Sequence, residues 1–275
     1  MIINKSKLKE LQDIAIKLRK QCVELAYGAG KNGSHYGSSL SAIEILVSLY
    51  CGVMHFDPQD PLKNTRDRVV ISKGHCVLAY YNILNHVGFI DNTTLKTYEV
   101  NGSELHGHAT RNLRYGIEFS GGSLGMGVTY AVGMALAGKM NALPYHVYVL
   151  VGDGECNEGL VWEALMSASH YKLDNFTLIV DNNRLQYDGE SSNVLNMIDL
   201  RAKFEAFGCN SSSVDGHSVE ELIAAFRAPS DGRPRAVIAN TIKGKGISFM
   251  ENKKEWHYGT ISSEQYQTAM SDLDL

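Results

Sequence analysis

Asp153 and Asn183 are the residues whose types and setting most directly imply chemistry. Asp153 lies in Gly152-Asp153-Gly154, immediately after an apolar run, His146 to Val151 (HVYVLV). Asn183 closes Asp181-Asn182-Asn183, immediately after a second apolar run, Phe176 to Val180 (FTLIV). A helix-like stretch separates the two. Two parallel strands joined by one helix would bring both residues to the strands' carboxyl ends, the edge where open α/β sheets bind ligands. One carboxylate and one amide oxygen are a sparse set for a hard cation. Magnesium accepts such a set when substrate phosphates and water supply the remaining ligands. The pair therefore reads as the seat of a magnesium-bound diphosphate. Either Gly-Asp-Gly or Asp-Asn-Asn alone would be an ordinary loop; it is the paired placement, each after a strand, that carries the reading.

Four histidines have settings that suit the same edge: His35 in GSHYGSSLSAIEIL, His75 in SKGHCVLAYY, His108 in LHGHATRN and His257 in ENKKEWHYG. They sit in loops beside glycine or just before helices, not on apolar helix faces. A helix amino terminus favours anions, so His75, at the start of its helix, suits a phosphate. His106 reads as a neighbour of His108 on the other side of an extended segment. His55, His86, His146, His170 and His217 have the contexts of structural histidines. Glu158 and Glu163, on the helix after Gly154, are out of phase for one helical face and by composition alone read as solvated carboxylates. Lys243 and Lys245, in KGKG, read as a basic surface loop. No His, Cys and carboxylate set has zinc spacing.

The elements that must position these residues alternate between strand and helix patterns. Leu8, Leu11, Ile14, Ala15, Leu18, Cys22 and Leu25 recur at helical spacing. Ser41 to Tyr50 predicts a second helix, with Ser41 as N-cap and Glu44 completing a capping box. Val69 to Ile71 is a short strand running into Ser72-Lys73-Gly74-His75 and a helix to about Asn85. Glycine-rich SGGSLGMG (Ser120 to Gly127) precedes a small-residue helix ending near Met140. Beyond the central strand–helix–strand unit come a helix around 200–207, a DGHS turn, a helix from Val219 to Phe226 and a strand over 236–241. The pattern predicts an α/β fold, a three-layer sandwich around a mostly parallel sheet, as one domain over residues 1–275.

Bulk properties narrow the class. At 275 residues the chain can bury a substantial core. A net charge of −4, with no stretch combining basic and aromatic residues, argues against nucleic acid as partner. No apolar run approaches membrane-spanning length, and the charged amino terminus lacks a signal-peptide core. Five scattered cysteines with no CxxC pair suggest reduced thiols. The expectation is a cytoplasmic protein that contacts no membrane.

Taken together, GSHYGSSLSAIEIL, SKGH, LHGHATRN, EFSGGSLGMG, GDGECNEG…VDNN and KGKGISFMENKKEWH resemble the amino-terminal half of a transketolase, over nearly the whole chain. The resemblance implies the thiamine-diphosphate-binding fold, with thiamine diphosphate and magnesium (or calcium or manganese in its place) as cofactors. It implies a cation held by Asp153, Asn183 and the Leu185 carbonyl. Cofactor contacts would come from His75, Gly154, Asn183 and His257, with Gly122 and Leu124 lying against the cofactor rings. It implies that His35, His108 and His257 handle sugar hydroxyls and protons. It also makes Glu158 and Glu163 cofactor-binding carboxylates at a dimer interface that links two active sites, Glu158 with a catalytic part, against their composition-based reading. The activity implied is transfer of a two-carbon ketol unit from a ketose or ketose phosphate to an aldose, with the cofactor as electron sink. Pyrimidine-binding and carboxy-terminal domains are expected on a partner chain, a carboxy-terminal transketolase subunit, in a heterotetramer inactive without it.

Four positions depart from the family pattern: Tyr36 where proline is usual, Met126 where glutamine is usual, Ser218 in DGHS, and Tyr258 after Trp256-His257. They cluster where sugar and cofactor would meet, which points to other sugars than the pentose-phosphate pair. Two other thiamine-diphosphate enzymes are rivals, a deoxyxylulose-phosphate synthase fragment and a 2-oxo acid dehydrogenase α chain. The SKGH, GSLGMG and KGKG…EWH set disfavours both. A non-catalytic diphosphate-binding subunit is opposed by intact Asp153, Asn183, His75 and His257. A dinucleotide binder is opposed by the lack of GxGxxG opening a helix after a strand.

Overall fold

The computed structural model describes residues 3–274. Among them, five strands form one sheet: β1 (Arg68–Ile71), β2 (Val147–Gly152), β3 (Phe176–Asn182), β4 (Asn210–Asp215) and β5 (Arg235–Asn240). Their order is β1-β2-β3-β5-β4, and every neighbouring pair is parallel. The helices are α1 (Lys5–Gly28), α2 (Tyr36–Ser41), α3 (Ile43–Val47), α4 (Val77–His86), α5 (Asn92–Leu95), α6 (Met126–Met140), α7 (Gly159–His170), α8 (Ser191–Leu195), α9 (Leu200–Ala206), α10 (Val219–Phe226) and α11 (Ser263–Asp272). No described helix is long and apolar enough to cross a membrane.

Alternation along the strands builds two cores. Val69, Ile71, Leu150, Ile179 and Val237 face one side, where they meet α1, α3, α4 and α10. Val70, Val149, Leu178, Val180 and Ile238 face the other and meet α6, α7 and α9. Strands covered on both faces read as continuous apolar runs, which is the character of VYVLV and FTLIV. The step from β3 to β4 crosses by α9 on the second face; the step back to β5 crosses by α10 on the first. Opposite directions served by opposite faces are what right-handed crossovers require.

The helix expected over Ser41 to Tyr50 is instead broken. α2 ends at Ser41, α3 begins at Ile43, and a π-helical turn follows over Ser48–Val53. Ser41 is not an N-cap. Its hydroxyl donates to the Asp181 carboxylate at 2.6 Å, and a bond to an ionised acceptor outcompetes a neutral capping bond. Glu44 makes no capping box either. It accepts from Arg19 of α1 at 2.7 and 2.9 Å and faces the His217 Nδ1 at 3.0 Å. The Ile242 N–H donates to the other ring nitrogen of His217 at 2.9 Å. That fixes the tautomer with the proton on Nδ1 and ties α1, α3 and the turn after β4 to the segment leaving β5.

Candidate functional site

The same period of two that builds the first core carries it past the strand ends. Two residues beyond Ile71, Ile179 and Ala239 stand Lys73, Asp181 and Thr241, all buried and continuing that face of the sheet. α2 covers them. Asp181 accepts from Lys73 Nζ and Thr241 Oγ1, from Ser41 Oγ, and from Asn183 Nδ2 at 3.3 Å. Lys73 also donates to the Ser38 carbonyl at 3.1 Å. Burial by itself would raise the Asp181 carboxyl; the Lys73 ammonium and the donors around it overcome this and hold it below the usual carboxylate range. One side chain thus clamps β1, β3, β5 and α2 together at the carboxyl edge.

Asp153 is buried as well but lacks such compensation. It follows β2, its N–H continues the ladder to the Asp181 carbonyl at 3.2 Å, and its carboxylate accepts from the Ser191 hydroxyl. Burial pushes its pKa up, with Ser191 only partly opposing. A carboxylate left short of positive charge is one that a cation would relieve. Beside it, Asn183 Oδ1 accepts from the Leu185 N–H at 3.1 Å. Arg184, between them, adopts a left-handed φ of 63°, a conformation that costs a non-glycine residue about 1–2 kcal/mol. It closes a loop in which Gln186 N–H meets the Gly189 carbonyl and Ser191 N–H the Arg184 carbonyl. That loop delivers both the Leu185 carbonyl and the Ser191 hydroxyl to the site. Carboxylate, amide oxygen and carbonyl are the donor types a hard cation takes when phosphate oxygens complete its shell.

Lys243, expected in a surface loop, is 1% exposed. Its ammonium donates to the Leu185 carbonyl at 3.2 Å and lies 3.2 Å from His257 Nδ1. Burial, then the nearby Lys73 charge, pushes its pKa down to about 8. The correction has a physical origin: Gly37 leaves room for the Lys243 stem, since a Cβ there would sit 2.8 Å from Lys243 Cγ. A buried ammonium at this place can receive an anion.

The four histidines converge. His35 lies 5.9 Å from His75, 5.2 Å from His108 and 5.5 Å from His257, ring centroid to centroid, and His75 lies 5.1 Å from His257. Burial lowers the pKa of His35 to about 3 and of His257 to about 4, helped by neighbouring charges; His75 is likewise lowered, first by burial. All three are neutral near pH 7. His35 Nδ1 is buried without a partner. Two tyrosines edge the cluster: Tyr258 packs on His35 at 4.7 Å and Tyr187 on His257 at 5.2 Å. The Tyr258 hydroxyl donates to the Asn32 carbonyl.

The glycine-rich loop reaches this cluster by close backbone approach. A Cβ on Gly74 would meet the Gly122 nitrogen at 2.8 Å and His108 Cδ2 at 3.0 Å. Leu124 is exposed at the loop's rim. Buried Glu155 pins the loop, accepting from Ser72 Oγ and from the Gly125 N–H at 2.8 Å. Gly154 packs under Gln186. Glu158, at the N-cap of α7, and Glu163, within it, are exposed, and neither carboxylate hydrogen-bonds to a histidine of the cluster. Sequence reasoning missed Lys73, Asp181, Glu155, Ser41 and Thr241. The available signal, for two of them, was charge of opposite sign just past two apolar runs, Lys73 after Val69 to Ile71 and Asp181 after Phe176 to Val180.

The profile of the transketolase thiamine diphosphate-binding domain matches residues 17–273. An apulose-4-phosphate transketolase subunit of Phocaeicola vulgatus is 41% identical over 259 residues, 94% of this chain and 91% of the relative. The 6-deoxy-6-sulfo-D-fructose transketolase subunit of Clostridium sp. (strain MSTE9) is 38% identical over 268 residues, 96% of each chain. Transketolase from Campylobacter jejuni superposes with a TM-score of 0.86 at 29% identity, over 99% of this chain and 43% of that one. The chain thus spans less than half of that solved protein, and nearly all of the two subunits.

Proposed function

The chain belongs to the transketolase thiamine diphosphate-binding domain family, and from that premise we propose that it is the amino-terminal subunit of a thiamine-diphosphate-dependent transketolase. The observation that carries the proposal is Asp153, a buried carboxylate short of compensation, grouped with Asn183 Oδ1 and the Leu185 carbonyl beside a cluster of neutral histidines. These three oxygens would hold the divalent cation, magnesium by the hardness of the donors, with calcium or manganese able to stand in. Lys243, His75, His257 and Gly154 would receive the diphosphate, and Gly122 and Leu124 would lie along the rings. The bound cofactor supplies the carbanion and electron sink for two-carbon ketol transfer.

The chain's own residues do the rest. His35, His108 and His257 bind the sugar hydroxyls and hold or move their protons. Burial keeps His35 and His257 uncharged at pH 7. His35 Nδ1 is without a partner, whereas His257 Nδ1 faces the Lys243 ammonium, which leaves its Nε2–H to donate. A carboxy-terminal partner is supported by relatives of this chain's length that are themselves named as one subunit of a transketolase. The exposed apolar residues Met126, Tyr130, Leu160 and Met166 of α6 and α7 suit a contact between chains. There Glu158 and Glu163 would meet a second copy and complete a heterotetramer. Relatives named for apulose 4-phosphate and for a sulfonated deoxyfructose support an anionic ketose outside the common pentose phosphates.

Calorimetric titration of magnesium with thiamine diphosphate, into the chain alone and with its partner subunit, tests this reading. Tight binding only with the partner is expected; no binding in either case overturns it. Steady-state rates on xylulose 5-phosphate with ribose 5-phosphate test the substrate reading, which ordinary efficiency on that pair would remove.

A further inference from the structure

We infer that Asp181 is a positioning residue that decides which end of the Asn183 side-chain amide faces the cation site. The inference rests on the cofactor reading above. Asn183 has one end that accepts and one that donates, and a cation tolerates only the oxygen. Nothing in the amide's shape selects between them, since the two orientations are nearly isosteric. The selection must come from the neighbour.

Asp181 is wholly buried, and every group around its carboxylate is a donor: the Lys73 ammonium, the Ser41 and Thr241 hydroxyls and, at 3.3 Å, the Asn183 amide. An ionised carboxylate can only accept. The Asn183 end that meets Asp181 Oδ2 is therefore the NH2, and the oxygen is turned to the Leu185 side, where the Leu185 N–H donates to it at 3.1 Å. The amide is thus held from both ends. Reversal would spoil both contacts at once: an oxygen would face the Asp181 carboxylate, and an NH2 would face the Leu185 N–H. Lys73, Ser41 and Thr241 all point donors at Asp181, so the side left to Asn183 is an acceptor.

A pair of charge-matched double variants tests the idea. Lys73→Met with Asp181→Asn removes both charges but keeps an acceptor facing Asn183, because the introduced amide can present its own oxygen. Lys73→Met with Asp181→Leu removes the same charges and leaves no acceptor. Mn2+ affinity is read by electron paramagnetic resonance with thiamine diphosphate and the partner subunit present, alongside the melting temperature of each protein. Loss of an outer-shell partner typically weakens metal binding about 10- to 100-fold, so the leucine pair is expected to bind Mn2+ weaker by that factor than the asparagine pair. Adding Asn183→Asp to the leucine pair, which puts an oxygen at either end, is expected to recover affinity without restoring stability. Equal Mn2+ affinity in the two pairs overturns the inference. Failure of the native complex to bind Mn2+ at all overturns the cation site itself, and with it this inference. Should the leucine pair not fold, the Asn183 side-chain NH2 of the native protein, followed by hydrogen exchange in nuclear magnetic resonance, decides: a protected NH2 is expected, and rapid exchange overturns the inference.

Discussion

Asp153 and Asp181 are both buried at the same sheet edge, yet only Asp181 has a cation of its own. The difference predicts opposite responses to the same substitution. Asp181→Asn strands the Lys73 ammonium, and breaking a buried pair costs about 3–5 kcal/mol, to be seen as a loss of unfolding free energy in urea. Asp153→Asn removes a charge that burial disfavours, so the ligand-free chain should be no less stable than the native one while magnesium–diphosphate binding falls. Equal destabilisation by the two substitutions would contradict this assignment of the charges. On the proposed reading, Lys243→Met should leave Asp153 and Asn183 untouched, free the Leu185 carbonyl of its donor, and weaken thiamine diphosphate binding by about 10- to 100-fold, the scale of a lost hydrogen bond to a charged group, measured calorimetrically with the partner. At this scale the sequence was legible where residue type and strand end coincided, as at Asp153 and Asn183. It was not legible where burial decides: Lys243 in KGKG has the composition of a surface loop, and only the space left by Gly37 brings it inside.

At the scale of elements, the joint that holds the site's frame is remote from the chemistry. Arg19 on α1, Glu44 on α3 and His217 after β4 form a buried network whose last member accepts the Ile242 N–H, one residue before Lys243. Arg19→Met leaves Glu44 buried without its guanidinium and should destabilise the fold by about 3–5 kcal/mol, with urea unfolding as the measurement. A smaller effect would mean that His217 compensates Glu44 alone. The apolar strands and the long helices could be read from the sequence because each carries one repeating pattern over its length. β4, Asn-Ser-Ser-Ser-Val-Asp, could not. It lies at the sheet's edge beside β5 alone, so its polar composition reads as loop. The break between α2 and α3 was hidden for the opposite reason: both helices are buried on every side, and no polar face marks where one stops.

Over the whole molecule, histidines held neutral by burial set the response to acid. His35 is lowered to about 3 and His146, far from the site and hydrogen-bonded to Thr177, to about 4, from an ordinary 6.5. Between about pH 6.5 and pH 4 the unfolded chain therefore binds protons that the folded chain does not, and unfolding free energy falls as pH falls. His146→Gln should flatten that slope in urea titrations run from about pH 7 to about pH 5; parallel slopes for native and variant would count against it. The two cores have a further consequence. They share no residue, because the sheet stands between them, and distant sites without common partners behave additively. The sheet is a partition between two supports of one site. One side has Lys73, Asp181 and Thr241 at its rim; the other has α6, whose start is pinned by Glu155, and α7, with Glu158 at its N-cap. Each half of the site therefore leans on a core of its own, and a repacked core on one face is a private matter of that face.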